Sequence, residues 1–311
     1  RNDVRAKMDG LGYTRHENIV RKSDVYVHPK IVHFTKTNTN INPTADQQHQ
    51  PEESTEALLK DVYKYHPPSN KKTEVKSDGT ADIVGRKSKN AEDGHGQASK
   101  CGKRPGFDAF FAMDINSRSV NNEDHIIYNT FFKDRPMDKI GTYIELGAFD
   151  GMRESNTHFF DSCLGWEGVL IEGNPIKYDM LLKNRPNAHR LSFAPSCQET
   201  GSSIPFHAAI WTNAGLLGHA KAYDNTEVKK VDVPCGPLGP VLETIFEEKK
   251  HVDFFSLDVE GAELKVLDTI NFEKVQIDIL MVEVVNSYCQ QHEECKVRND
   301  VRAKMDGLGY T

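Results

Sequence analysis

The chain has 311 residues, a formal net charge of −7 and 37% hydrophobic residues, which is enough for one sizeable core with polar tails. The mildly acidic balance argues against a broad basic face for nucleic acid, and no stretch approaches the roughly 18 consecutive apolar residues of a membrane-spanning helix. The first residues lack the apolar middle of a signal peptide, so the chain as given is predicted to be soluble, in the cytoplasm or in the lumen of the secretory pathway.

The same segment, "RNDVRAKMDGLGYT", occurs at residues 1–14 and again at residues 298–311. Two interpretations fit: one period of a tandem array with a 297-residue unit, or a domain sequence that starts at an arbitrary internal point. A duplicated helix with a function of its own is less favoured. The sequence that precedes the second copy and the sequence that follows the first copy would join, through one copy of the segment, into a single continuous domain.

Residues 30–105 are predicted to be a disordered linker, because the stretch from residue 37 is rich in Asn, Gln, Lys, Ser, Pro and Gly and has almost no apolar periodicity. One island, "STEALLKDVYKYH" at 54–66, has apolar residues near helical spacing, with Pro67 as a stop. It is predicted to be a transient helix rather than a domain.

From Gly106 onward, strand-like and helical segments alternate. The strand-like runs are short and apolar: "TYIEL" (142–146), "GVLIE" (168–172), "VDFFSLDVE" (252–260) and "IDILMVEVV" (277–285). Runs of this kind bracketed by helices predict an α/β fold with a parallel sheet covered on both faces.

Three turns at the carboxyl ends of these strands carry acids: "ELGAFDG", "IEGNP" and "LDVEGAE". Such sheets bind ligands at this edge. The first turn is neither a P-loop nor G-x-G-x-x-G, because no "GKS" or "GKT" follows and Phe149 stands at the second Gly position. It fits a nucleoside with a positive centre and no phosphate, such as S-adenosylmethionine, and by itself it is equally typical of a generic tight strand-to-helix connection.

Four residues carry the nucleoside prediction. Gly147 and Gly151 would let backbone approach the ligand, and Glu145 would lie beneath it. Glu172, 21 residues beyond Gly151, is placed to accept both ribose hydroxyls.

The ordered region resembles the FkbM-type methyltransferase family, in the form found in many eukaryotic sequences. The resemblance lies between residues 125 and 285, in "GTYIELGAFDG", "SNTHFF", "GWEGVLIEGNP", "LKNRPNA", "VPCGPL", "DFFSLDVEGAELKVLDTI" and "LMVEV". It implies a Rossmann-like class I methyltransferase fold, with a seven-stranded, mostly parallel sheet and helices on both faces. It also implies S-adenosylmethionine as cofactor and methyl transfer to a hydroxyl of a sugar or natural-product-like acceptor.

The family's closing part, a helix ending in "GY" and then two strands, resembles the start of this chain. Residues 106–297 would then be the methyltransferase core, residues 1–29 its closing helix and β-hairpin, and residues 298–311 a second copy of that helix. We expect "NIV" and "DVYVH" to pair with the strand at 279–285, and the two helix copies to compete for one groove.

The resemblance also implies residue roles. The turn at 147–151 would line the methionine and ribose side of the cofactor, Ser155 and Asn156 would reach its carboxylate or amine, and Glu172 would hold the ribose. The predicted cofactor-binding set is Glu145, Gly147, Ala148, Phe149, Asp150, Gly151, Ser155, Asn156, Glu172, Asn174 and Asp258.

Asp258, at the end of its strand, is the first candidate for taking the acceptor's proton or positioning the acceptor, and Glu260 and Glu263 follow. Glu263 fits equally well as an ordinary acid in the first turn of a helix, and Glu260 as a turn cap. The cluster of these three acids leaves open a divalent cation bound through oxygen ligands, but the sequence does not require one and none is predicted. The run "CQQHEEC" (289–295) lacks a fourth zinc ligand and is predicted to be a solvated loop or a local disulfide, and Cys235 is predicted to be packed.

Two other functions stay open. A nicotinamide-dependent oxidoreductase would also have a glycine-containing turn followed by an acid that binds ribose. The chain, however, lacks the G-x-G-x-x-G motif and an obvious Tyr-x-x-x-Lys pair. A catalytically inactive, methyltransferase-like binding module in a tandem array fits the repeated ends. The predicted partner is a small-molecule or glycan acceptor, without nucleic acid, and no motif indicates the oligomeric state.

Overall fold

The computed structural model describes residues 23–28, 57–69, 73–75, 81–83, 119–136, 139–208, 215–216, 229–246, 251–283 and 294–310. The strands in these ranges are β1 (Ser23–Val27), β2 (Thr73–Val75), β3 (Ala81–Ile83), β4 (Thr142–Leu146), β5 (Glu167–Ile171), β6 (His189–Leu191), β7 (Ser202–Ala208), β8 (Gly215–Leu216), β9 (Lys229–Cys235), β10 (His251–Leu257) and β11 (Gln276–Glu283). The α-helices are α1 (Glu123–Ile127), α2 (His158–Ser162), α3 (Pro175–Asn184), α4 (Leu238–Ile245), α5 (Glu263–Leu267) and α6 (Glu294–Gly307), and π-helical turns occupy Leu58–Val62 and Tyr128–Phe132. None of the helices in these ranges has the length and apolar character needed to span a bilayer.

Six strands form the main sheet, in the order β1-β11-β10-β4-β5-β6. The neighbours from β11 to β6 run parallel, and β1 is antiparallel to β11. The chain first extends the sheet from β4 to β5 and β6, and then adds β10 and β11 on the opposite side of β4. The strand order therefore reverses between β4 and β10, which is where ligands of open α/β sheets bind. The predicted α/β class and mostly parallel sheet are confirmed, and the seventh strand stays a prediction.

The parallel strands are buried on both faces because they are apolar at consecutive positions. Tyr143 and Ile144 of β4 are both fully buried, and they pack into two different core clusters. Phe254 and Phe255 of β10 repeat this alternation. Side chains of α4, α5 and α6 complete one cluster, and side chains of α1, α2 and α3 complete the other. Helices therefore cover both faces of the sheet.

Residues 57–69 lie within the predicted linker, but they pack against the core. The Tyr63 ring stacks on Phe193 with centroids 4.1 Å apart, and Leu59 is buried in the same cluster. The backbone of His66 exchanges hydrogen bonds of 2.9 and 3.0 Å with Arg190 of β6. The structure differs from the sequence prediction because the edge strand β6 offers backbone partners to a segment that would be too short to fold alone.

β1 closes one edge of the main sheet. It pairs antiparallel with β11, beginning with Ser23 opposite Glu283. This is the pairing that the sequence predicts for "DVYVH". The residues "NIV" at 18–20 lie outside the described ranges, and the proposed domain boundaries stay a prediction.

α6 contains most of the second repeat copy and docks beside β1. Its Met305 is fully buried in the core. Arg302 donates two hydrogen bonds, of 2.5 and 2.7 Å, to the Asp24 carboxylate of β1. The first copy, residues 1–14, lies outside the described part of the chain, so the competition between copies stays a prediction.

β7, β8 and β9 form a separate antiparallel sheet, in the order β8-β7-β9. A disulfide joins Cys197 to Cys235, with their Cα atoms 5.6 Å apart, and ties the end of β9 to the segment that follows β6. Cys235 is fully buried, as predicted, and it is also a disulfide cysteine, which the sequence analysis did not predict. A separation of 38 residues gives the pair no local sequence signal. Cys289 and His292 of the predicted loop lie outside the described residues.

Candidate active site

A cavity of about 600 Å³ opens at the carboxyl ends of the parallel strands. Its lining comes from the segments that follow β4, β5, β6 and β10, together with residues of β7, β8 and β11. These segments meet at the point where the strand order reverses. The acidic turns that are separate in the sequence therefore share one cavity.

The turn after β4 lies against the end of β10. Gly147 has a φ of +86°, and a Cβ on it would lie 1.8 Å from the carbonyl oxygen of Asp258, so only glycine fits. Phe149 also has a positive φ, of 48°, a strained conformation that occurs most often at functional turns. This close approach puts the first predicted cofactor glycine beside the first predicted catalytic acid.

Glu172 joins the turns after β4 and β5. Its Oε2 accepts a hydrogen bond from the backbone N–H of Phe149, and its Oε1 accepts one from that of Asn174, each 2.6 Å long. Burial raises the pKa of Glu172 to about 7, although both backbone hydrogen bonds act in the opposite direction. Glu172 also lines the cavity, and each carboxylate oxygen has a second lone pair for a ligand hydroxyl.

Glu145, buried at the end of β4, organises the segment 155–157. Its carboxylate accepts hydrogen bonds from the Ser155 hydroxyl (2.8 Å), the Asn156 backbone N–H (2.7 Å) and the Thr157 hydroxyl (2.7 Å). The Asn156 side chain donates to the Ser256 hydroxyl of β10 at 3.0 Å. Glu145, Ser155 and Asn156 all line the cavity, so these bonds give that wall a fixed shape.

Arg185, which the sequence analysis did not single out, supports the same wall from behind. Its buried guanidinium donates to the Asp161 carboxylate (2.6 Å), the Tyr143 hydroxyl (2.8 Å), and the Ser155 hydroxyl and Gly151 carbonyl (3.1 Å each). A buried cation is tolerated only when its N–H groups are hydrogen-bonded and its charge is paired with an acid, as they are here. The sequence signal was the stretch "LKNRPNA", but that pattern does not distinguish a buried arginine from one on the surface.

Asp258, Glu260 and Glu283 form an acidic group at the ends of β10 and β11. Their carboxylate oxygens lie within 4.8 Å of one another, and all three residues line the cavity. Loss of solvent raises the pKa of Asp258 well above its usual range, and the charge of Glu283 and a hydrogen bond with Glu283 raise it further. Glu283 is absent from the predicted site, although it stands near the end of the fourth apolar run, "IDILMVEVV".

Glu263 does not line the cavity. Its Oε1 accepts hydrogen bonds from the backbone N–H groups of Val259 (3.2 Å) and Gly261 (3.0 Å) and so fastens the turn before α5. Burial raises the pKa of Glu263 to about 7. Of the two predictions for this residue, the geometry favours the structural acid of a helix start over the catalytic group.

Three residues of the predicted cofactor set also lie outside the lining: Asp150, Gly151 and Asn174. Asp150 accepts hydrogen bonds from the backbone N–H groups two and three residues further on, and Asn174 caps α3 through the N–H of Ile176. A Cβ on Gly151 would lie 2.6 Å from Leu181 Cδ1. These residues shape the turns from behind the cavity.

The charged residues that line the cavity are mostly acids. Among the described residues that line the cavity, seven are acids and one, Arg153, is a cation. The acids are Glu123, Glu145, Glu154, Glu172, Asp258, Glu260 and Glu283. Such a lining attracts cations and repels phosphate groups.

The family model described as "Methyltransferase FkbM domain" matches residues 145–311, more than half of the chain. The chain belongs to the FkbM methyltransferase family. A search of curated proteins and a search of solved structures found no match. The matched FkbM domain begins at Glu145 and includes all three acidic turns, Arg185 and Glu283. The family resemblance seen in the sequence motifs is thereby confirmed.

Proposed function

We propose that this FkbM domain is an S-adenosylmethionine-dependent O-methyltransferase that acts on a hydroxyl of a sugar or natural-product-like acceptor. The observation that carries the proposal is the acidic cavity in which the Gly147 turn, Glu172 and Asp258 meet. A nucleoside with a sulfonium charge and no phosphate suits this lining, because the acids attract its positive charge.

The cofactor would be held by groups of three turns. Glu172 would accept hydrogen bonds from the ribose hydroxyls, at the position where dinucleotide and nucleoside folds carry an acid after the second strand. The Gly147 turn would bring backbone against the nucleoside, and the wall formed by Ser155 and Asn156 would meet the polar methionine end. S-adenosylmethionine supplies, when bound, a methyl group that a hydroxyl oxygen can take.

Asp258 would take the proton of the acceptor hydroxyl. Its raised pKa makes its carboxylate a stronger base than that of an exposed aspartate, and a base works best when its pKa is near the working pH. Glu260 lines the same cavity and would help to position the acceptor. Glu263 would act only through the turn that it fastens.

The disulfide between Cys197 and Cys235 bears on where the protein works. Disulfides form and persist in oxidising compartments and are rare in the cytosol. The disulfide therefore supports the lumen of the secretory pathway over the cytoplasm, and a glycan is an acceptor that fits this compartment.

Calorimetric titration with S-adenosylhomocysteine tests the proposal. We expect micromolar binding by the wild-type chain, and a loss of about tenfold or more in Glu172→Ala. Glu273→Ala is the matched control, because Glu273 is exposed and lies outside the cavity lining, and it should bind like wild type.

The same experiment separates the rival functions. NAD⁺ should give no binding heat, because its pyrophosphate would meet the acidic lining. Binding of NAD⁺ without binding of S-adenosylhomocysteine would contradict the proposal. Binding of S-adenosylhomocysteine without transfer of radiolabelled methyl to any member of a glycan and polyketide panel would favour the inactive binding module.

A further inference from the structure

The ends of β10 and β11 bring two carboxyl groups together. The strands are parallel, with Leu257 opposite Val282, and Asp258 and Glu283 are the residues that follow this pair along the two strands. Their carboxylate oxygens lie within 4.8 Å of each other, and both residues line the cavity. Two ionised carboxylates at this separation repel each other, so the arrangement favours a proton on one of the two groups.

We propose that Asp258 and Glu283 form a proton-sharing carboxylate pair, in which Glu283 positions Asp258 and determines when Asp258 is free to take a proton. The inference rests on the proposed function, because it deepens the role of Asp258 as proton acceptor. Asp258 is the group that would meet the acceptor. Glu283 acts through Asp258 and is a positioning residue.

The surroundings of the pair keep the shared proton in place. The charged groups that raise the pKa of Asp258 are Glu283 from β11, and Glu260 and Glu263 from the turn and the start of α5. Burial acts in the same direction, so Asp258 holds a proton at pH values at which an exposed aspartate has lost it. The other charged residues of the lining are Glu123, Glu145, Arg153, Glu154 and Glu172.

The uncharged contacts place the pair beside the proposed cofactor turn. The backbone N–H of Asp258 donates to the carbonyl of Leu146 at 3.0 Å, and its carbonyl oxygen packs against Gly147. On the far side of Glu283, β1 contributes Ser23, which also lines the cavity. A positive charge that enters the cavity beside this turn favours the fully ionised pair.

During methyl transfer, the acceptor oxygen would bond to the methyl carbon while the carbon–sulfur bond breaks and its electron pair returns to sulfur. The hydroxyl proton would move to the ionised pair, which then holds one shared proton and one negative charge. The pair would return this proton to water before the next turnover. The step needs no oxidant, reductant or co-reactant beyond methyl donor and acceptor.

Proton release on ligand binding tests the pair without any acceptor. S-adenosylmethionine carries the sulfonium charge, whereas S-adenosylhomocysteine has the same nucleoside without that charge. Both ligands meet Glu172 through the same ribose, so the difference in proton release between them isolates the group that senses the sulfonium. Calorimetry in two buffers with different ionisation enthalpies measures the number of protons released.

We expect the wild-type chain to release more protons with S-adenosylmethionine than with S-adenosylhomocysteine, by up to about one proton below the raised pKa of Asp258. Glu283→Gln should abolish this difference in proton release. Glu283→Asp keeps an acid and should keep the difference. Glu273→Gln, which removes an exposed acid outside the cavity lining, should behave like wild type.

Equal proton release with the two ligands in wild type, or a difference that persists in Glu283→Gln, would overturn the inference and leave the proposed function standing. If Glu283→Gln fails to fold, Asp258→Asn must abolish the same difference, because it removes the other acid of the pair. A heat of binding for MgCl₂ alone that Glu283→Gln removes would also overturn it, since a cation would then replace the shared proton. Binding of neither ligand by the folded chain would overturn the proposed function together with this inference.

Discussion

The guanidinium of Arg185 and the carboxylate of Asp161 form a buried ion pair, in which Nε donates to Oδ2 at 2.6 Å. The same guanidinium lies 3.8 Å from the buried carboxylate of Glu145. Replacing Arg185 by Met leaves two buried acids without their cation. We expect a loss of about 3–5 kcal/mol in the free energy of unfolding, measured by urea denaturation, and weaker binding of S-adenosylhomocysteine.

Arg302 provides the control for this substitution. It is also paired with an acid, Asp24, but its side chain is partly exposed, and pairs near the surface contribute about 1 kcal/mol or less. Arg302→Met should therefore lower the free energy of unfolding far less than Arg185→Met does. Equal losses in the two variants would show that burial of the Arg185 network does not matter.

The turn acid Glu263 should make the stability depend on pH. Burial raises its pKa to about 7 from an ordinary 4.5, so the folded state binds the proton more tightly than the unfolded state. The stabilisation from this group is complete below about pH 4.5 and is lost as the pH rises through about 7. Glu263→Gln removes this titration.

The free energy of unfolding of Glu263→Gln minus that of wild type should therefore increase by about 3 kcal/mol between pH 4.5 and pH 7. Urea denaturation at a series of pH values measures it. Glu273→Gln, at an exposed acid, should give a constant difference from wild type. A constant difference for Glu263→Gln as well would mean that the native pKa of Glu263 is ordinary.

Gly147 allows the turn after β4 to contact the end of β10. Because a Cβ there would lie 1.8 Å from the Asp258 carbonyl oxygen, Gly147→Ala should lower the free energy of unfolding by about 3 kcal/mol or more and abolish binding of S-adenosylhomocysteine. Gly307→Ala is the matched control. Gly307 lies in α6 with no atom within 4 Å of its added Cβ, so we expect an unchanged or slightly raised melting temperature. Normal ligand binding by Gly147→Ala would contradict the close approach.

The sequence pattern identified several residues that line the cavity, because its signal is local. An apolar run that ends in an acid and a tight turn is visible in a few residues, and Glu145, Gly147, Glu172 and Asp258 all stand in such turns and line the cavity. Asn174 stands in the same pattern, yet its side chain caps a helix. Local pattern does not separate a capping side chain from a ligand-facing one, because both favour the same positions.

The parts that the sequence did not reveal depend on distant partners. Arg185 is a buried structural cation because it donates hydrogen bonds to Asp161 and Tyr143. Cys197 is a disulfide cysteine because it pairs with a cysteine 38 residues away. Tyr63 is fully buried in a core cluster, where its ring stacks on Phe193. Composition made the segment around Tyr63 resemble a linker, since a few apolar residues carry little weight in a long polar stretch.

The disulfide holds the cavity wall between β6 and the small sheet. Ser196, next to Cys197, lines the cavity, and the bond closes a loop with a sequence separation of 38. Loop-closure entropy predicts that the paired substitution Cys197→Ser and Cys235→Ser lowers the free energy of unfolding by about 4 kcal/mol. The paired variant is cleaner than a reductant, because Cys163 is also disulfide-bonded. Unchanged stability and unchanged ligand affinity in this variant would show that the bond is dispensable.

The segment whose second copy forms most of α6 occurs twice in the chain, and the predicted competition of the two copies for one groove can be tested. In the structure the second copy fills this groove, with Met305 fully buried and Tyr310 donating to the carbonyl of Ile277 at 2.8 Å. Met8 is the counterpart of Met305 in the first copy, which is joined to β1 through residues 15–22. So short a connection would keep the first copy at a high effective concentration near the groove.

We therefore expect each single substitution, Met305→Asp or Met8→Asp, to cost about 1 kcal/mol or less in the free energy of unfolding, because the intact copy can occupy the groove. The double variant should lose about 3–5 kcal/mol, because either copy would then bury an unpaired charge. Urea denaturation of the three variants measures this non-additivity. If Met305→Asp alone is as damaging as the double variant, the first copy does not reach the groove, and the second copy alone closes the domain.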